Sequence, residues 1–137
     1  MPTYPSRHIS ITVEKPFAEV YEFLADPTTF PQWSSGLGHS FELVGPHQWT
    51  GETDTGHVTV FFSAPNESGI LDHRVVRDDG DPVFVPMRVV PNGTGSEIII
   101  TLFQVNGMSD AYFERDADTT SNDLSTLKRL LESDQKS

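Results

Sequence analysis

The sequence of 137 residues carries 9 Lys and Arg against 20 Asp and Glu, a net charge of −11 with histidine neutral. This charge disfavours nucleic acid and anionic membranes as partners, because both attract basic surfaces. Cysteine is absent, which excludes disulfides, thiolate metal sites and a cysteine nucleophile. With 36% hydrophobic residues, the chain has enough apolar material for one folded domain spanning residues 1–137. It contains no apolar stretch typical of a leader or of a membrane span, so we expect a cytoplasmic protein.

Two periodic patterns follow each other near the N-terminus. Residues 8–13 alternate between polar and apolar side chains, which predicts a half-buried first strand. Behind Pro16, the apolar residues of 17–24 recur at helical spacing and predict a short amphipathic helix. Asp26–Pro27 should end this helix, and Asp26 is placed to cap a second short turn running to Trp33.

Six further runs have the patterns of short strands, separated by turn residues such as Gly, Pro, Asn and Asp. They cover residues 41–44, 48–52, 57–62, 70–77, 83–90 and 97–105. Together with the first strand they predict a seven-stranded antiparallel meander.

The period changes to that of a helix from Ser109 onward, with apolar residues on one stripe as far as Leu131. Ser109 is placed to cap this helix. A run of about 24 residues would extend about 36 Å, enough to cross a small sheet. Because the apolar face of a curved sheet must be covered, this helix is expected to lie across it in an α+β fold.

The order of one strand, two short helices, six strands and one long helix resembles the helix-grip fold of the START and Bet v 1-like (SRPBCC) superfamily. Residues 16–27, read as PFAEVYEFLADP, followed by Trp33, are similar to the opening of bacterial polyketide cyclase/dehydrase and lipid-transport members. Residues 69–73, 85–89 with 91–93, and 101–103 look like signatures of a small branch. The resemblance implies a curved seven-stranded sheet around the C-terminal helix, with a cavity for a lipid, sterol, polyketide or similar hydrophobic molecule between them.

Alternation along the strands and the apolar stripe of the last helix predict which side chains line this cavity or pack between sheet and helix. Small residues in the N-terminal half of the helix predict that the cavity lies beside that half. Trp33 is expected either to line the mouth or to anchor the short helices. The predicted ligand-binding wall consists of Trp33, Val60, Phe62, Leu71, His73, Val85, Met87, Ile100, Leu102, Phe113, Asp116, Ala117 and Thr120.

His73 and Asp116 are the two ionisable residues predicted on inward faces. A buried carboxylate needs solvent, a proton or a partner, and His73 is the expected partner of Asp116. Arg88 is the alternative partner if its strand is turned over; otherwise it lies on the outer face and pairs with Asp72. A histidine among apolar neighbours is more often a structural core residue than a catalyst, and Asp116 is also compatible with a place near solvent.

Motifs for other chemistry are missing from the sequence. The five histidines are scattered without metal-ligand spacing, and neither a G-x-G-x-x-G nor a phosphate-binding loop occurs; no metal and no cofactor is expected. Three hypotheses remain: a binding or carrier protein, a cyclase/dehydrase-type enzyme in which His73 and Asp116 are the catalytic residues, and a partner-binding regulatory module. A homodimer is left open.

Overall fold

The computed structural model describes residues 3–34, 41–53, 56–78 and 82–133. The order of elements follows the order predicted from the sequence, with one strand more. The elements are β1 (Ser6–Val13), α1 (Phe17–Ala25), a 3-10 turn (Pro27–Thr29), α2 (Phe30–Trp33), β2 (Glu42–Gly45), β3 (Gln48–Thr53), β4 (Gly56–Phe62), β5 (His73–Arg77), β6 (Val83–Val85), β7 (Met87–Asn92), β8 (Gly95–Phe103) and α3 (Asp110–Ser133). Residues 34–38, whose serines and glycines predict a flexible hinge, lie outside the described residues from position 35 onward.

Both predicted helix caps are confirmed. The Asp26 carboxylate accepts hydrogen bonds from the backbone N–H and the hydroxyl of Thr28, at 3.0 and 2.7 Å. The Ser109 hydroxyl accepts a hydrogen bond from the backbone N–H of Tyr112 at 3.0 Å. Each cap satisfies an N–H that the first turn of its helix leaves unpaired, and α3 runs for 24 residues from there.

The strands form two sheets rather than the single seven-stranded sheet that was predicted. One has the order β1-β8-β7, and the other has the order β2-β3-β4-β5-β6. The run at residues 83–90, predicted as one strand, is two: β6 pairs with β5, and β7 pairs with β8. Pro86 separates them, since proline has no N–H for a continuous ladder.

Residues 69–72 and 86–89 join the two sheets. The N–H of Leu71 donates to the carbonyl of Met87 at 2.8 Å, and the N–H of Val89 donates to the carbonyl of Gly69 at 3.0 Å. The Asp72 carboxylate accepts from the Met87 N–H at 2.9 Å and from the Arg88 guanidinium at 3.1 and 2.8 Å. The predicted pair of Asp72 and Arg88 on the outer face is therefore confirmed.

Helix α3 packs against β1 and α2. Its buried residues are Phe113, Ala117, Leu124, Leu127 and Leu131. At its C-terminal end, the Lys128 ammonium donates to the carbonyl of Thr12 at 2.6 Å, and the Glu132 carboxylate accepts from the N–H of Glu14 at 2.9 Å. These contacts fix that end of α3 beside the end of β1. At its N-terminal half, Glu114 accepts a hydrogen bond from Arg7 of β1 at 2.7 Å. Within the described part of the chain, no helix is both long and apolar enough to cross a membrane.

Candidate functional site

A cavity of about 180 Å³ lies between the five-stranded sheet, β8 and the N-terminal half of α3. Its floor is apolar, and its polar groups come from β5, from α3 and from the end of α2. The lining residues are Phe30, Trp33, Ser34, His73, Val75, Arg77, Val83, Val85, Ile100, Leu102, Met108, Tyr112, Asp116, Thr119, Thr120 and Asp123.

A wider groove of about 700 Å³ adjoins this cavity. Both spaces are bordered by Arg77, Val83, Met108 and Tyr112, so these residues mark where the cavity meets the groove. The groove also exposes large apolar side chains that globular proteins usually cover: Tyr4 is 39% exposed, Phe84 53% and Tyr112 46%.

Strand β5 gives the cavity its two ends. Side chains alternate along a strand, so His73, Val75 and Arg77 point to the same face, and all three line the cavity. At about 3.3 Å per residue, the backbones of His73 and Arg77 lie about 13 Å apart. Arg77 also borders the groove, whereas His73 does not. His73 therefore belongs to the inner end of the cavity and Arg77 to its mouth.

The inner end is built around a buried, neutral His73. Its side chain is 8% exposed and contacts the ring of Phe30 edge-on at 5.6 Å between centroids. Its Nδ1 lies 3.1 Å from the carbonyl oxygen of Leu71. A carbonyl only accepts hydrogen bonds, so Nδ1 carries the proton and Nε2 is left as an acceptor. Burial lowers the pKa of His73, against the opposing effects of the Leu71 carbonyl and of Asp72.

Asp116 is a half-buried carboxyl on the helix side of the cavity. Burial raises its pKa, and the positive charge of Arg77 acts in the opposite direction. It forms no hydrogen bond or ion pair with any described residue. Asp116 lies about one helical turn after Tyr112, a residue of the groove, which agrees with a position near the mouth.

The predicted pairing of His73 with Asp116 is wrong. No hydrogen bond joins them, and the charge that acts on Asp116 is that of Arg77. The physical reason is the direction of β5, which separates the inner end of the cavity from its mouth. Arg88, the alternative partner, is bound to Asp72 on the outer face.

The predicted wall divides into three groups. Seven of its residues line the cavity, namely Trp33, His73, Val85, Ile100, Leu102, Asp116 and Thr120. Three border an adjoining pocket of only about 20 Å³, together with His73 and Trp33: Phe62, Leu71 and Met87. Three lie in the packed core: Val60, Phe113 and Ala117.

The side chains of the last two groups lie in the hydrophobic core or pack against it and do not line the cavity; the sequence prediction allowed either position. Phe30 of α2 packs edge-on against Phe62 at 5.1 Å between ring centroids and also contacts His73, so it fills the space above β4. Alternation identifies the inward face of a strand, but it does not distinguish a side chain covered by a neighbour from one that borders a void.

Trp33 lies at the junction of the cavity and the small pocket. It is 7% exposed and contacts Phe30 edge-on at 5.0 Å between centroids. Its indole N–H has no hydrogen-bond partner among the described residues. Trp33 therefore anchors α2 and forms part of the cavity wall. It does not border the groove, so it lies away from the mouth that it was expected to line.

Sequence reasoning missed the residues at the mouth. Arg77 was overlooked because charge was assigned to the outer face, although the alternation that places His73 and Val75 inward continues to Arg77. Tyr112 precedes Asp116 by one helical turn, and this spacing was the available signal for it. Val83 and Met108 had none, since the gap between β6 and α3 arises from tertiary packing.

Metal chemistry finds no support in residues 3–34, 41–53, 56–78 and 82–133. Within these ranges no three histidine, aspartate or glutamate side chains come together in an arrangement suited to a metal ion.

No protein-family model and no curated protein matches the chain. Solved structures do match. A START superfamily protein from Mycobacterium smegmatis has a TM-score of 0.74 at 12% identity, over 93% of this chain and 97% of that one. Ara h 8.0201 has a TM-score of 0.69 at 14% identity, over 94% and 98%. DynU16, a protein of the dynemicin biosynthetic locus, has a TM-score of 0.71 at 16% identity; the match covers 93% of this chain and 47% of DynU16. These likenesses show that the chain has the helix-grip fold of START and Bet v 1-like proteins.

Proposed function

We propose that the protein binds a hydrophobic small molecule, with one end of the molecule in the cavity beside α3 and the remainder in the adjoining groove. The observation that carries this proposal is that the two spaces lie side by side and share four lining residues, Arg77, Val83, Met108 and Tyr112. Concave, mostly apolar sites with a few polar groups are typical of small-molecule binding. The fold supports the same conclusion, since the resemblance seen in the sequence implies a cavity at this place.

The sizes of the two spaces limit the ligand. An engineered apolar cavity of about 150 Å³ holds one benzene molecule, so the cavity of about 180 Å³ has room for one ring or a short branched chain. The groove of about 700 Å³ is in the range of ordinary ligand sites, about 300–1,000 Å³. A molecule with a compact end and a larger apolar body fits this arrangement, and a lipid or polyketide meets that description.

A second candidate is an enzyme of the cyclase/dehydrase type. The observation that favours it is a neutral histidine with a free Nε2 in the same cavity as a carboxyl group whose pKa is raised, because a base and an acid with shifted pKa values are the requirement for proton transfer. The binding protein stands first, since His73 and Asp116 form no direct pair and belong to opposite ends of the cavity.

The test is to titrate the folded protein with the neutral solvatochromic dye Nile red. Saturable one-to-one binding is expected, with weak dependence on salt because burial of apolar area drives it. Val85→Trp fills the cavity and should abolish binding, whereas Val90→Trp, at a position on β7 that is 38% exposed, is the matched control and should bind normally. Absence of saturable binding by the parent, or equal loss in both variants, would contradict the proposal.

Native mass spectrometry of protein purified from its own source then separates the two candidates. A carrier releases its bound molecule unchanged. An enzyme converts it, and the conversion stops in His73→Gln or Asp116→Asn while the variant still binds.

A further inference from the structure

We infer that the inner end of the cavity recognises a hydroxyl group of the ligand, with Nε2 of His73 as the hydrogen-bond acceptor. This inference rests on the proposed function and specifies the ligand class: a compact, uncharged ring that carries a hydroxyl, such as a phenol, an enol or a cyclic alcohol.

The direction of the hydrogen bond follows from the contact that holds the imidazole. The carbonyl of Leu71 takes the Nδ1 proton at 3.1 Å, and a neutral imidazole has one donor and one acceptor. Nε2 is therefore an acceptor with no partner among the described residues. A ligand hydroxyl can donate to it, whereas a ketone, an ether or an ester has no proton to offer.

The hydroxyl groups of the cavity do not reverse this preference. The hydroxyls of Ser34, Thr119 and Thr120 line it as well, but a hydroxyl both donates and accepts and so selects neither kind of ligand group. A carboxylate at the inner end would meet the lone pair of His73, and the one cationic side chain among the described residues lining the cavity, Arg77, belongs to the other end of β5. Burial of an unpaired charge is costly. The inner end therefore disfavours acids. The indole N–H of Trp33 lines the same cavity and has no partner among the described residues, and it can only donate. A ligand hydroxyl can accept from Trp33 and donate to His73, whereas a ketone can only accept.

The test uses three probes with one ring each: p-cresol, p-xylene and the anion p-toluate. The first two have the same number of heavy atoms and nearly the same shape, and they differ in the hydroxyl. One neutral hydrogen bond corresponds to an affinity difference of about threefold to tenfold. Affinities measured by NMR titration should rank p-cresol above p-xylene by this factor, with p-toluate weakest.

Two further measurements assign the effect to His73. The first uses the parent sequence labelled with ¹⁵N: p-cresol should shift the Nε2 resonance of His73, and p-xylene should not. In His73→Phe the preference for p-cresol should vanish. His8→Phe is the matched control, since His8 lies on the exposed face of β1, bonded to Thr101, and should retain the preference.

The outcomes are distinct. Binding of p-cresol and p-xylene with equal affinity, or an unchanged Nε2 resonance at saturation with p-cresol, would overturn the hydroxyl inference and leave the proposed binding function standing. Failure of all three probes and of Nile red to bind would overturn both.

Discussion

The Asp72 carboxylate is expected to stabilise the protein chiefly through its hydrogen bond to the backbone of Met87, and only secondarily through its ion pair with Arg88. The relevant perturbations are Asp72→Ala, which removes both interactions, Asp72→Asn, which keeps an acceptor for the Met87 N–H, and Arg88→Met, which removes only the ion pair. All three act where the two sheets join, next to Pro86.

The magnitudes follow from burial. Met87 is 2% exposed, and a buried N–H left without an acceptor costs about 1–3 kcal/mol. The Arg88 side chain is 46% exposed, so its ion pair contributes about 0.2–1 kcal/mol after screening by solvent. Asp72→Ala should therefore lower the free energy of unfolding by about 2–3 kcal/mol, and Arg88→Met by less than about 1 kcal/mol.

Urea denaturation followed by circular dichroism measures these differences. Although burial opposes ionisation of Asp72, the hydrogen bonds from Arg88 and Met87 hold its pKa below the ordinary value. The carboxylate contribution is then complete above the unfolded pKa of about 3.9 and is lost as the pH falls through the lower folded value. The difference in unfolding free energy between the parent and Asp72→Asn should therefore shrink as the pH falls. If Arg88→Met costs as much as Asp72→Ala, the reasoning is refuted, because the ion pair would then carry the effect.

Two other predictions concern backbone geometry and a buried charge. Gly69→Ala should destabilise the protein by about 3 kcal/mol or more in the same denaturation assay, since φ is +74° and a Cβ would collide with the carbonyl of Val89. Gly93, with φ +61° and open space around it, is the control, and Gly93→Ala should cost only about 1–2 kcal/mol. Equal losses of stability in the two variants would contradict the predicted collision. Asp116→Asn should be more stable than the parent at pH 7 and equal to it near pH 3. Burial raises the pKa of Asp116 in the folded state, so its ionisation destabilises the fold as the pH rises above about 3.9. A difference in stability that persists at pH 3 would show that the effect has another cause.

The elements of the fold could be predicted from local patterns, whereas their pairing could not. Residues 8–13 and 109–131 have strong periodicity, and the structure places β1 and α3 there. The run at 83–90 also alternates, and only the proline at position 86 indicated that it changes partners. Whether an internal proline ends a strand or bends it depends on which neighbours are available, and that is a tertiary property.

The site was harder to predict than the fold, for a related reason. Alternation placed His73 and Val85 inward, and both border the cavity. It placed Met87 inward as well, but Met87 is covered by neighbours and borders only the small pocket. The expectation that Asp116 pairs with His73 assumed that two inward ionisable groups must meet. The charge that acts on Asp116 is that of Arg77, four residues after His73 on β5, and which end of a strand a helix residue lies beside is invisible in the periodicity of either element.

The shortness of β6 has a consequence for solubility. It forms one edge of the five-stranded sheet, and exposed edges are where chains add to each other and aggregate. Pro82 and Pro86 flank its three residues, and neither proline has an N–H to offer a foreign strand. Since successive N–H groups of a strand point to opposite sides, at most two of the three N–H groups of β6 are left for a foreign strand to bind. A cross-β assembly growing from this edge would therefore lose its hydrogen-bond ladder within three residues, so the exposed Phe84 beside the groove can stay uncovered without nucleating aggregation there.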